Sequence, residues 1–338
     1  MANTFSINSK QASTSMYSLE DLQALVLKKV EGFCRKNGEE SILEPVNYIL
    51  QLGGKRVRPL LTLLAADAFS DDIDDAVYPA IAMEIFHNFT LMHDDIMDNA
   101  PLRRGKPTVH ERWNRDVAIL SGDAMLIQAY QLIIKTRPEC LAQVLETFNT
   151  TALEVCKGQQ LDMEFQTRND VTIEEYIEMI RLKTSVLLGG SMKIGAIISN
   201  ASEEDQTYIY NFAIELGLSF QLWDDYLDTF GDSTKVGKQV GGDILANKKT
   251  FLMIKAMELA DDAQRSATAE LLSSNESSEL KVNRVTQLFK DFHLDQLLKS
   301  TVENYYKRAL ENLDALGIDE SRKVKIRALA EALHGREF

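Results

Sequence analysis

No proline follows Pro138, although the chain runs to 338 residues; all six prolines lie at or before that position. Proline removes a backbone donor and clashes with the preceding helical turn, so its absence over so long a stretch is what uninterrupted helices require. Cysteine is scarce too. Cys34, Cys140 and Cys156 share no paired spacing, which excludes a disulfide framework and a cysteine zinc site and fits three small buried side chains in a reducing cytoplasm. No run of about eighteen apolar residues occurs, so no membrane span is expected. Val186–Ser199 comes nearest, but Lys193 and several glycines interrupt it. Positive charge is in deficit as well: 37 Lys and Arg against 51 Asp and Glu leave a net charge of −14. Backbone binding to nucleic acid depends on clustered cations, so nucleic acid is not an expected partner.

What the chain does have is helical periodicity. Hydrophobic residues make up 45% of it, enough for a sizeable core. They recur at spacings of three and four, as in Ile81, Ile85, Phe89, Met92 and Ile96, and again in Tyr176, Ile180, Leu187 and Ile194. No clear period-two alternation is found, and the expected fold class is all-α. The pattern predicts helices over 18–37, 40–51, 58–69, 77–98, 109–135, 138–166, 172–199, 203–230 and 250–259, with three or four shorter ones after them. Residues 1–15 are rich in Ser, Thr and Asn and read as a disordered tail, not a signal peptide. No linker divides residues 16–338, which read as one domain.

Two acidic clusters end apolar helices: His93-Asp94-Asp95-Ile96-Met97-Asp98 and Gln221-Leu222-Trp223-Asp224-Asp225-Tyr226-Leu227-Asp228. The first and last Asp of each are four residues apart, about 40° around a helix, so both carboxylates leave one face. Such pairs suit magnesium, which takes one or two carboxylates and fills its octahedron with water and phosphate oxygens. His87, two turns before Asp94, continues the first stripe, and Gln221 continues the second. The run Asp71-Asp72-Ile73-Asp74-Asp75 has similar composition but no apolar helix leading into it, and reads as a surface loop.

Cations gather around these clusters. Gly53-Gly54-Lys55-Arg56-Val57-Arg58-Pro59 sets two flexible positions before three of them, and Arg103-Arg104-Gly105-Lys106 follows the first acidic cluster directly. Lys183-Thr184, Lys235, Lys238, Lys248 and Lys249 complete the set. In an acidic chain this concentration needs a reason, and diphosphate binding supplies one, since Arg presents a fork matched to phosphate oxygens and Lys a compact charge. Arg56, Lys235 and Lys249 read equally well as ordinary surface cations.

These motifs, in this order and together with Gly158-Gln159-Gln160-Leu161-Asp162, resemble the trans-isoprenyl diphosphate synthase (polyprenyl synthetase) family from about Ser41 to the chain end. The resemblance implies a bundle of long helices around a deep central cavity, the two Asp-rich motifs facing across its mouth, and a homodimer. It implies about three magnesium ions held by Asp94, Asp98 and Asp224, with Asp95, Asp225 and Asp228 in support. Arg103, Lys183 and Lys238 are then expected on the allylic diphosphate, with Asp162 organising that side. Lys55, Arg58, His87 and Arg104 are expected on isopentenyl diphosphate, which uses no metal. Thr184 and Gln221 fall near the allylic carbon, and Lys248 in the closing region. The implied reaction is ionisation of the allylic diphosphate, condensation with isopentenyl diphosphate, and proton elimination.

In this family, bulky residues just before the first motif set the cavity floor. Phe89 lies five residues before Asp94, Thr90 four and Phe86 eight, with no insertion in the motif. One aromatic at the fifth position and a small residue at the fourth resemble geranylgeranyl diphosphate synthases; a farnesyl diphosphate synthase is the alternative. A terpene cyclase is disfavoured because it lacks the Gly-Gly-Lys-Arg segment and departs from this second motif. A non-catalytic partner subunit is disfavoured because both motifs are intact.

Overall fold

A computed structural model describes residues 17–38, 40–231 and 241–335. The expected tail, Lys235 and Lys238 lie outside them. The described chain is all-α, in the order α1 (Leu19–Asn37), α2 (Glu44–Gln51), α3 (Val57–Phe69), α4 (Val77–Met97), α5 (Val109–Arg112), α6 (Arg115–Ile133), α7 (Pro138–Phe165), α8 (Ile173–Ile180), α9 (Val186–Ile198) and α10 (Glu203–Phe230). Beyond these come α11 (Gly242–Leu245), α12 (Phe251–Leu259), α13 (Asp262–Ser273), α14 (Ser278–Asp291), α15 (Leu294–Asp314) and α16 (Glu320–His334). A two-residue ladder pairs Leu102–Arg103 with Lys106–Pro107.

Side-chain caps set several helix starts. Ser18 accepts from the Asp21 N–H and closes a capping box for α1, Thr172 does the same for α8 with Glu175, and Thr250 accepts from Met253 ahead of α12. Three expected helices differ, and the one over 172–199 is interrupted by a π turn, Arg181–Ser185, between α8 and α9. The one expected over 40–51 starts later, where Glu44-Pro45 forms the first turn, because proline is tolerated there and lacks a donor to pair. The one expected over 109–135 is two helices. Asn114 is fully extended (φ −171°, ψ 174°) and caps α6 by accepting from Val117 at 2.9 Å, so the chain breaks after Trp113.

The chain forms two compact units. One comprises residues up to Ala152 with Leu187–Asn211 and Leu313–Leu329; the other comprises Leu153–Val186, Phe212–Asn312 and the chain from Ala330. In the first, α4 packs along α6 and α3, and α3 is buried almost throughout from Pro59 to Ala68. Gly195 of α9 lies so close to α3 that a β-carbon there would collide with the Thr62 carbonyl. Lys325 of α16 pairs with buried Asp67 of α3, and Arg322 donates to the Asp67 carbonyl at 3.0 Å and reaches Asp71 at 2.5 Å. Asp71, Asp72, Asp74 and Asp75 are all exposed, as expected of a surface loop, while Ile73 alone turns inward.

In the second unit, α8 packs against α12 and α11 against α14. Cys34 and Cys140 are buried, but Cys156 is not. It falls on the solvent side of α7 with Lys157 and Leu153, a face the cysteine's own chemistry could not announce.

Candidate active site

The first acidic motif is built by the end of α4. Asp98 caps the helix in right-handed geometry, its N–H donating to the Asp94 carbonyl at 2.9 Å, so the helical register carries through from Asp94 to Asp98. Asp94 is half-buried and Asp98 exposed. Asp95 is turned inward and taken by Arg103, whose Nε and Nη2 each donate to one carboxylate oxygen at 2.7 Å. This bidentate pair anchors the hairpin that follows. At its tip Arg104 (φ 53°) and Gly105 (φ 74°) are both left-handed, as a two-residue hairpin turn requires.

The hairpin delivers Arg104 onto the glycine loop before α3, where its guanidinium donates to the Gly53 carbonyl. A β-carbon on Gly54 (φ 128°) would sit 2.7 Å from Arg104 Nη2, so the pair of glycines is what lets the guanidinium lie down on the backbone. Lys55, Arg56 and Arg58 come next in the chain. His87, on α4, is surrounded by Arg58, Arg104, Arg103 and Arg56; burial first, then these charges, hold its imidazole well below the usual pKa. Burial brings Arg58 down to about 10, with Glu84 opposing and Arg104 adding to the shift. The arrangement is a strongly electropositive nest, with Arg58 and His87 half-buried and Arg104 open to solvent, suited to a polyanion that brings no metal with it.

Arg56 is not the surface cation it resembled in the sequence. Its guanidinium is buried, pairs with Glu84 and donates to the Leu50 carbonyl. Nor does Phe86 stand apart from the core: its ring is enclosed by Phe148 at 5.3 Å and Phe89 at 5.6 Å. Phe89 is less buried and meets His93 at 4.8 Å, while the Thr90 hydroxyl donates to the His87 carbonyl at 2.8 Å.

In the second unit, Lys183 and Thr184 lie in a π-helical turn, Arg181–Ser185, between α8 and α9. Such turns insert one residue into a helix and recur at functional sites. Two glycines make room for it. A β-carbon on Gly158 of α7 would collide with the Lys183 backbone, and one on Gly217 of α10 would sit 2.6 Å from Ser185 Oγ. Lys183 Nζ then reaches Asp162 at 2.6 Å, and the Thr184 hydroxyl donates to Gln221 Oε1 at 3.4 Å.

Gln221 and Tyr176 both hydrogen-bond the Asp225 carboxylate, and Tyr176 is itself buried. Burial pushes Asp225 up to about 8, with the Asp243 and Asp224 carboxylates adding to the shift. Asp228 accepts the Asp243 N–H at 3.0 Å and is raised by burial and by the Asp243 charge. Asp243 also pairs with Lys248 at 3.0 Å.

The sequence reading missed three of these features. Asp243 stands between Gly241-Gly242 and Lys248 in a glycine-rich loop, a signal that was readable. Tyr176 falls on the apolar stripe of α8 and looks like any core residue. A π turn leaves no mark in apolar periodicity.

The donor set fits magnesium. It is all oxygen, and the neighbouring carboxylate charges that help to raise Asp225 and Asp228 are relieved by a divalent cation. Among the described residues no group of three His, Cys, Asp or Glu side chains is placed to hold a metal ion by itself. A separate cavity of about 640 Å³ in the second unit is lined by Asn169, Lys249, Met253, Met257, Arg265 and Leu272, among others, and by none of the motif Asp residues.

The His87 imidazole has a pH signature. The unfolded chain takes up a proton on His87 below about pH 6.5, while the native fold resists it until well below that value. Stability contributed by the neutral native imidazole is therefore present above pH 6.5 and is lost as pH falls. Relative to His87→Gln, the wild type should lose up to about 1.4 kcal/mol per pH unit below that point. Urea denaturation of both proteins at pH 7.5 and 5.5 measures it, and an unchanged difference contradicts the placement of His87.

The sequence profile described as "Polyprenyl synthetase" matches residues 39–289. The geranylgeranyl pyrophosphate synthase of Geoglobus acetivorans is 35% identical over 321 residues, covering 94% of this chain and 98% of its own. The short chain isoprenyl diphosphate synthase of Methanothermobacter thermautotrophicus is 35% identical over 285 residues, 84% of this chain and 87% of its own. Among solved structures, a geranylgeranyl pyrophosphate synthase superposes with a TM-score of 0.89 at 43% identity, covering 96% of this chain and all of that one. With a matching profile over most of its length and relatives of this identity and coverage, the chain belongs to the polyprenyl synthetase family.

Proposed function

We propose that this chain is a short-chain trans-prenyltransferase that condenses isopentenyl diphosphate with dimethylallyl, geranyl and farnesyl diphosphates, ending at geranylgeranyl diphosphate. The observation that carries the reading is the cluster of Arg58, Arg104 and His87 beside the acidic end of α4. A diphosphate repays the cost of holding those like charges together. The name of the matching solved structure and of the Geoglobus relative favours the twenty-carbon product over the fifteen-carbon alternative.

In this reading Lys55, Arg58, His87 and Arg104 bind isopentenyl diphosphate and set its double bond against the allylic carbon. Asp94, Asp98 and Asp224 hold magnesium ions, about three per site, with Asp95, Asp225 and Asp228 orienting them; the ions supply Lewis-acid neutralisation of the departing diphosphate. Arg103, Lys183 and Lys238 add positive charge to that diphosphate, and Asp162 positions Lys183. The Thr184 hydroxyl and the Gln221 amide present dipoles to the allylic cation. The released diphosphate can accept the eliminated proton, so no side-chain nucleophile is required. Lys248 and Asp243 belong to the region that closes and excludes water.

A homodimer is part of the same proposal. Leu120, Ile127 and Ile134 recur every seventh residue along and just beyond α6 and are 58%, 59% and 59% exposed, an apolar stripe that a second copy would cover. No helix among the described residues is long and apolar enough to cross a membrane, and a reducing cytoplasmic setting fits three free cysteines.

Asp94→Ala and Asp224→Ala should each lower kcat by roughly 10²–10³-fold or more with little change in melting temperature. Wild-type rates at saturating magnesium would remove the metal assignment. Phe89→Ala should lengthen the product by about one isoprene unit, since one helical turn of depth is about 5.4 Å. Chromatography of the products reads it, and an unchanged chain length returns Phe89 to the core.

A further inference from the structure

Two carboxylates lie among the guanidiniums around His87: Asp95 is taken by Arg103, and Glu84 is spent on Arg56. The pair is nearly dry, with side-chain exposures of 7% for Arg56 and 2% for Glu84. Asn88, one turn further along α4, also donates to Glu84, to its Oε1 and to its carbonyl at 2.8 Å each. Even so, Arg56 Nε, Glu84 Oε2 and Asn88 Oδ1 are buried without a hydrogen-bond partner. A buried ion pair seldom stabilises a fold more than apolar side chains of the same volume, and one with orphaned atoms does so less. Stability therefore does not account for it.

Its geometry offers another account. Arg56 is the N-cap residue of α3 and is held in the left-handed region (φ 48°, ψ 40°), an uncommon conformation for a non-glycine residue. Lys55 immediately precedes it and Arg58 follows two residues later. The guanidinium, clamped by Glu84 and by the Leu50 carbonyl, fixes the backbone at the point from which both cations are launched. Glu84 also lies three residues before His87 on α4, so one helix carries the clamp and the imidazole, and its charge offsets the mutual repulsion of Arg58 and Arg104.

We infer that Glu84 is a positioning residue for the isopentenyl diphosphate subsite, acting through Arg56 to hold Lys55 and Arg58 in their binding geometry without touching the substrate. The inference rests on the proposed reaction and deepens it. It divides the three cations of the Lys55–Arg58 segment: Arg56 is committed to Glu84, and Lys55 and Arg58 face the ligand.

Steady-state kinetics with each substrate varied separately tests it. Glu84→Gln should raise KM for isopentenyl diphosphate about tenfold, a change of about 1.4 kcal/mol, and leave KM for farnesyl or geranyl diphosphate within about twofold. The double variant Arg56→Met with Glu84→Leu replaces the pair by apolar groups of similar size and should fold with a melting temperature at or above that of the wild type. Its KM for isopentenyl diphosphate should stay raised. A wild-type KM for isopentenyl diphosphate in either variant, or an equal rise for both substrates, overturns the inference. Failure of the wild-type protein to consume isopentenyl diphosphate removes the underlying reading, and shows itself before any variant is compared.

Discussion

A diphosphate can be held tightly only if charges of one sign are kept close together before it arrives, and the structure is organised around that cost. The basic groups do it near α4. Arg58, Arg104 and His87 crowd together, with Glu84 and Asp95 each committed to one neighbouring guanidinium. The acidic groups do it on α10 and α11, where the Asp243 and Asp224 charges help burial to raise Asp225, the Asp243 charge helps burial to raise Asp228, and Tyr176 and Gln221 hydrogen-bond Asp225. Each concentration is unfavourable by itself, and each supplies fixed charge that need not reorganise when substrate binds.

Close backbone approach makes the arrangement possible, and glycine marks the places. Gly54 admits the Arg104 guanidinium onto the loop, and Gly158 and Gly217 admit the π turn that carries Lys183 and Thr184. A β-carbon at Gly54 would meet the Arg104 guanidinium, one at Gly158 the Lys183 backbone, and one at Gly217 Ser185 of the same turn.

The fold was largely legible in the chain. Helices α1, α4, α7 and α10 fall within one residue of the reading from periodicity, since long proline-free apolar stripes admit little else. The misreadings have local causes. Asn114 stops a helix that the apolar pattern carries straight through, and Pro45 delays another. At the site, charge and spacing marked the Asp-rich motifs and their cations. They could not reveal that Arg56 turns inward, because an Arg between Lys55 and Arg58 looks identical whether its partner is a distant Glu or the solvent. Tyr176 was hidden for the converse reason: its hydroxyl is the only part that is not core.

The central claim is that these two sets of charges serve one chain-elongation reaction. The most direct test incubates purified protein with magnesium, isopentenyl diphosphate and, separately, dimethylallyl, geranyl and farnesyl diphosphates, and reads the products by mass spectrometry. The account predicts a linear diphosphate of twenty carbons from every primer. Neutral cyclic hydrocarbons, or no consumption of any primer, would contradict it.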